Sequence, residues 1–291
     1  VTASTRTLRT ADGESLALRD WPLPAGSARA VVLLVHGLGE HAGRYAHVAA
    51  RLNAWGFAVR AADHHGHGES SGARGGLPTV DRLVDDLALV VDDTRKSCPG
   101  VPLALLGHSL GGLVAASFVA RAVRPVDALV LSSPALDAGM SAAQKALIAL
   151  LLRLAPGLRV GNGLDAGFLS HEPAVVRAYR DDPLCHDRIG ARLARFLADE
   201  GAVVQAAAPA WKVPTLLIYA GDDRLVKPAG SRAFADAAPK AVLSSTCYPA
   251  HYHEIFNETD AEPVFERLRG WLDDRFPVRV EAALSPSAEA R

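Results

Sequence analysis

Leu106-Gly107-His108-Ser109-Leu110-Gly111-Gly112 is the stretch whose reading decides the fold. It sets a serine between two glycines, directly behind the apolar run Val101-Pro102-Leu103-Ala104-Leu105-Leu106. An apolar run that ends in Gly-x-Ser-x-Gly predicts a strand, a sharp turn with the serine at its tip, and a following helix. Only glycine lets neighbouring backbone pack closely around a strained residue of this kind. The helix N-terminus would aim N–H groups and its positive end at the serine, where a negative oxygen can be stabilised.

Outward from this point the pattern alternates. Ala30-Val31-Val32-Leu33-Leu34-Val35 and Val126-Asp127-Ala128-Leu129-Val130-Leu131 read as strands buried on both faces of a sheet. A helix is expected over residues 42–54 and a strand over 57–61. Val80, Leu83, Val84, Leu87, Val90 and Val91 recur at helical spacing, with Thr79 as the expected N-cap. A hairpin of residues 5–9 and 15–19 about Asp12-Gly13 opens the chain. Strand–helix alternation predicts a mostly parallel, doubly wound α/β sheet. Between residues 135 and 209 no strand is expected, only helices near 142–154, 173–179 and 189–198. The sheet pattern resumes at 214–219 and 241–248, before a helix with Phe265, Leu268, Trp271 and Leu272 on one face. We therefore expect a core of residues 1–134 and 210–280. Residues 135–209 read as a helical cap over the C-terminal ends of the strands, where open α/β sheets bind ligands. Residues 281–291, rich in Ala, Ser and Pro, read as a disordered tail.

A chain of 291 residues has room for one such domain with an insertion. Its 31 basic and 32 acidic residues leave no basic footprint for nucleic acid. Cys98, Cys185 and Cys247 are odd in number and far apart, which argues for reduced thiols and against a disulfide framework. No pair has metal-ligand spacing, so neither zinc nor any other metal is expected, and no cofactor. The first ten residues lack the apolar stretch of a signal peptide, and the run 146–152 is far shorter than the ~20 residues that span a bilayer. A cytoplasmic, soluble protein is the expectation.

A serine nucleophile needs a general base, and the base needs an orienting carboxylate. Ala220-Gly221-Asp222-Asp223-Arg224-Leu225-Val226 and Pro249-Ala250-His251-Tyr252-His253-Glu254 follow the two late strands. Two carboxylates, Asp222 and Asp223, and two histidines, His251 and His253, compete for the roles.

Five ordered motifs then carry a resemblance. They are His36-Gly37-Leu38-Gly39-Glu40-His41-Ala42-Gly43-Arg44-Tyr45, Asp63-His64-His65-Gly66-His67-Gly68-Glu69-Ser70, residues 107–112, residues 221–226, and His253-Glu254-Ile255-Phe256-Asn257-Glu258. Together they resemble the monoacylglycerol lipases of the α/β-hydrolase superfamily, and Ala178-Tyr179-Arg180-Asp181-Asp182-Pro183-Leu184 extends the likeness. The resemblance implies Ser109 as nucleophile, Asp223 as acid and His253 as base. The oxyanion hole would use the backbone N–H groups of Leu38 and Leu110. His36 and the His64-His65-Gly66-His67 cluster read as loop braces, and His108 as packing in the turn. His65 stands where the family usually has arginine.

The stretch 145–154 is apolar nearly all round, more than one buried stripe requires. It reads as lining for an acyl chain, with Leu147, Ile148 and Leu151 as substrate contacts, and as a surface for transient membrane contact. The alternative is packing against the core or a second copy. The expected reaction is hydrolysis of a monoacylglycerol, a lipid ester, to glycerol and fatty acid. A lysophospholipase or short-chain carboxylesterase is the rival, and a peptide-cleaving relative or a silent lipid carrier stands further off. Nothing in the sequence sets the oligomeric state.

Overall fold

The computed structural model describes residues 3–24 and 26–278. Strands β1 (Ser4–Arg9) and β2 (Ser15–Trp21) form the expected hairpin. Next come β3 (Val31–Val35), a 3-10 turn (Ala42–Tyr45), α1 (Ala46–Ala54) and β4 (Ala58–Ala62). Helix α2 (Arg82–Ser97), β5 (Leu103–His108), α3 (Leu110–Ala120) and β6 (Ala128–Ser132) follow. Between β6 and the next sheet strand lie α4 (Ala142–Leu154), β7 (Arg159–Gly161), α5 (Pro173–Asp181), β8 (Arg188–Gly190) and α6 (Ala191–Ala207). The chain then completes the sheet with β9 (Thr215–Ala220), α7 (Pro228–Ala237), β10 (Leu243–Tyr248) and α8 (Glu262–Arg275).

The eight-stranded sheet has the order β1-β2-β4-β3-β5-β6-β9-β10. Only β1–β2 and β2–β4 pair antiparallel; the rest are parallel. This is the α/β-hydrolase architecture. From β3 the chain moves outward to β4, then returns to lay β5 on the other side of β3. The crevice outside this reversal, at the strand C-termini, is the ligand position in such sheets. Ser109 follows β5 directly, and Val35, at the end of β3, pairs with Gly107.

Alternate residues of each central strand face opposite layers. Val31, Leu33 and Val35 join a core with α2, α3, α6 and α7, while Val32 and Leu34 join another with α1 and α8. Helix α3 is buried at every residue from Leu110 to Phe118, which explains its lack of a polar face. The stretch 135–209 differs from expectation in two short strands and in its last helix, which starts at Ala191 and runs on to Ala207 instead of ending near 198. β7 and β8 pair antiparallel through Val160 and Ile189, but at three residues each they are too short to carry a readable alternation. Thr79 is not the cap of α2: the first helical bonds accept at the Asp81 carbonyl, from Val84 and Asp85 N–H at 2.9 and 3.0 Å. Among the described residues no helix is long and apolar enough to cross a membrane. The tail expected at 281–291 lies outside the described residues.

Helix α3 can approach β3 only because position 111 has no side chain. A Cβ there would overlap the carbonyl oxygens of Val35 and His36. Gly111→Ala is expected to cost about 3 kcal/mol, the penalty of forcing a methyl into packed backbone. Urea unfolding measures it, and a loss under 1 kcal/mol would refute the close approach.

Candidate active site

Ser109 has φ 54° and ψ −120°, a left-handed backbone that side chains disfavour. Three backbone bonds near 3.0 Å hold it there: Ser109 N–H to Ser132 O, and its carbonyl accepting from Leu113 and Ala135 N–H. A Cβ on Gly107 would overlap the Gly111 carbonyl, so both motif glycines answer to close backbone.

Asp223 and His253 are brought together from the loops after β9 and β10. His253 Nδ1 lies 2.6 Å from Asp223 Oδ2, and the other carboxylate oxygen accepts from Leu225 and Val226 N–H at 2.9 Å each. The competing groups are elsewhere. Asp222 pairs with Arg224 at the surface, and the His251 ring stacks on Tyr248. Both partners of the pair are nearly buried, and their charges support each other. Burial raises the Asp223 carboxyl, but the His253 charge and hydrogen bond, with the two amides, bring it below its ordinary value. Burial likewise lowers His253, yet the Asp223 charge and bond outweigh it and hold the imidazolium above its ordinary range.

Ser109 and His253 line one cavity of about 240 Å³, together with Leu38 and His108. Leu110 is fully buried at the first position of α3, where an N–H has no intrahelical acceptor. Among the described residues neither Leu38 N–H nor Leu110 N–H donates to a backbone carbonyl outside its own element. The turn bearing Leu38 is tightly braced. His36 Nε2 accepts from His64 N–H at 2.9 Å, and His64 Nε2 lies 2.9 Å from His36 O. Asp63 accepts from Ala42 and Glu69 N–H. His65 lies 3.4 Å from Glu14. His108, its Nδ1 3.1 Å from Ser132 Oγ, is pushed down to about 4 by burial and by the His253 charge, so it packs as a neutral ring.

Leu147, Ile148 and Leu151 do not line this cavity. Ile148 is the one buried residue of α4, which packs on α6, and Leu147 is exposed. The apolar wall comes instead from Leu164, Ala166, Leu169, Leu225 and Val226. Helical periodicity identified an apolar surface without saying what would cover it.

Sequence reasoning also missed a buried ionic cluster in the cavity's lining. Arg44 bonds both oxygens of Glu254 at 2.6 and 2.8 Å and one of Glu40 at 2.5 Å. Glu40 further accepts from Gly37 N–H and Tyr45 Oη at 2.6 Å each, and the Arg44 guanidinium sits 5.0 Å over the Tyr179 ring. The cluster thus joins the Leu38 turn to the residue after His253. Burial opposes ionisation of Glu40, but Arg44 reverses the sign and lowers it.

Arg44→Met strands two buried carboxylates and is expected to cost about 3–5 kcal/mol at neutral pH. A carboxyl lowered in the fold contributes stability above its unfolded value that is lost as pH falls through the folded one. The deficit of the variant should therefore narrow toward acid pH. Chemical unfolding at several pH values checks this, and a pH-independent deficit would contradict it.

A family profile described as Hydrolase_4: Serine aminopeptidase, S33, matches residues 26–260. The chain is 39% identical over 252 residues to a monoacylglycerol lipase of Mycolicibacterium smegmatis, covering 86% of this chain and 90% of that one. It is similar to the crystal structure of a Paleococcus ferrophilus monoacylglycerol lipase, with TM-score 0.80, 32% identity, and coverage of 94% and 100%. A soluble variant of monoglyceride lipase from Saccharomyces cerevisiae, solved with a substrate analogue, shares the fold at TM-score 0.86, 23% identity, and coverage of 95% and 96%.

Proposed function

The chain belongs to the Hydrolase_4 (serine aminopeptidase, S33) family, and from that premise we propose that it is a serine ester hydrolase cleaving monoacylglycerol to glycerol and a fatty acid. The observation that carries the reading is one cavity shared by Ser109 and an Asp223-oriented His253, lined by both polar and apolar side chains. Glu40, Arg44, Tyr179 and Asn162 suit the glycerol hydroxyls, and Leu164, Leu169, Leu225 and Val226 suit the acyl chain. Each CH₂ removed from water there contributes ~0.8 kcal/mol.

In this reading His253 Nε2 takes the Ser109 proton as Oγ attacks the ester carbonyl. Leu38 and Leu110 N–H groups hold the oxyanion, the glycerol oxygen leaves with the proton from His253, and an acyl-enzyme remains. Water activated by His253 then releases the fatty acid. Residues 135–209 serve as a cap over a core of residues 1–134 and 210–280. Its root is α6, which packs on α3.

The cap also supports membrane contact. Leu147, Leu150, Leu154, Leu158, Val160 and Leu164 are all exposed, and Leu164 reaches the cavity. Leu147, Leu150 and Leu154 share one face of α4 at helical spacing. A lipid surface is the occupant that this face suits, because it would deliver acyl chains beside the cavity that takes them.

The deciding measurement is kcat/KM on a long-chain monoacylglycerol, the matching lysophospholipid and a short-chain ester, with Ser109→Ala as control. The monoacylglycerol should be preferred and all activity lost in the variant. Preference for another substrate would keep the chemistry and overturn the lipid assignment. His253 must be neutral to act as base, so kcat/KM should rise with pH along a limb above the ~6.5 of free imidazole. Asp223→Asn removes the charge that raises His253. It should shift that limb toward acid and lower the plateau by roughly 10⁴; an unmoved limb would assign it to another group. Replacing Leu147, Leu150 and Leu154 together by Ser should weaken binding to phosphatidylcholine vesicles by roughly 100-fold, at about 1 kcal/mol each. Short-ester turnover should stay near the parent value. Unchanged vesicle binding would place the membrane contact elsewhere.

A further inference from the structure

We propose that His41, Asp182 and Cys185 form a binding site for one thiophilic divalent cation of the zinc class. The site lies at the seam between the turn that follows Leu38 and the segment leaving α5. A ring nitrogen of His41, a carboxylate oxygen of Asp182 and Cys185 Sγ lie within 4.8 Å of one another. His41 is buried, and Asp182 and Cys185 are half-buried, so the set is formed by the fold yet reachable from water.

The donors match such a cation. One nitrogen, one oxygen and one sulfur, with a fourth position open to water, form the tetrahedral set of zinc and exclude the all-oxygen preference of magnesium and calcium. With metal–ligand bonds of 2.0–2.3 Å, tetrahedral ligands stand about 3.3–3.8 Å apart. No two donors are more than 4.8 Å apart, so roughly 1 Å of closing suffices, and the 2.8 Å contact of His41 Nε2 with Asp182 Oδ2 opens slightly.

The surrounding backbone already fixes these positions. Asp182 Oδ1 accepts from Leu184 N–H at 2.8 Å, which leaves Oδ2 facing His41. Cys185 N–H donates to Asp182 O at 3.1 Å, and His186 N–H to Gly39 O at 2.8 Å. Tyr179 Oη donates to Gly39 O at 3.3 Å. Binding expels the Cys185 thiol proton. In the free protein Gly43 N–H donates to His41 Nδ1 at 3.1 Å, which puts the ring proton on Nε2. That proton moves to Nδ1 when the cation takes Nε2, and Gly43 loses its acceptor. The affinity is therefore lower than that of a dedicated structural zinc site. Occupancy fastens residues 182–185 to the turn that carries Leu38.

Cobalt(II) is the probe, because a cobalt–thiolate bond adds a sulfur-to-metal charge-transfer band that protein alone lacks. Titrating the full chain should give that band, saturating at one equivalent and displaced by Zn²⁺. Cys185→Ser should abolish it, Asp182→Asn and His41→Gln should weaken cobalt binding at least tenfold, and a Cys98→Ser/Cys247→Ser double variant should retain it. Absence of the band in the parent protein would overturn the site. So would a band that survives Cys185→Ser or is lost in the double variant.

Discussion

The contact on which this molecule depends is the bare approach of α3 to the end of β3. Gly111 leaves no side chain between the helix and the carbonyls of Val35 and His36. That proximity brings the first turn of α3 to the end of β3, from which the loop bearing Leu38 leaves. It also lets β5 turn through Ser109 in a conformation that costs of order 1–3 kcal/mol. Backbone bonds to Ser132, Leu113 and Ala135 maintain that conformation. A helix held this closely to a sheet, with α2 and α6 against its other sides, must be apolar all round, as α3 is.

Charge organises the site at a second level. Asp63, Glu40 and Arg44 brace the loop after β3 from three directions, and Arg44 reaches across 210 residues of sequence to Glu254. The loop carrying His253 is tied on its other side to the insertion, through Glu254 N–H to Leu169 O at 2.8 Å. The loops carrying His253 and Leu38 are thus fixed to each other through ionic and backbone bonds.

Most of the sheet was legible in sequence because its strands are buried on both faces and its glycines stand where backbone must touch backbone. The order of serine, acid and base could be read from strand-end position alone. Choosing Asp223 over Asp222 and His253 over His251 needed the resemblance, since the neighbours differ only in which way they face. Other features had no local signature. The Arg44 cluster joins residues far apart in sequence, as does the grouping of His41 with Asp182 and Cys185. The three-residue strands β7 and β8 exist only through each other. For α4, composition correctly marked an apolar surface, but periodicity is silent on whether protein, substrate or lipid covers it.

The ionic cluster also bears on the chemistry of His253. Asp223, Glu254 and Glu40 all favour its protonated form. Arg44 sits between two of them and pairs both, while Asp223 alone makes the direct bond to the ring. Asp223 bonds the imidazolium directly, and the positive charge of Arg44 offsets part of the attraction that Glu40 and Glu254 exert on it. Acidic groups can thus line the same cavity as His253 while one carboxylate alone bonds its ring.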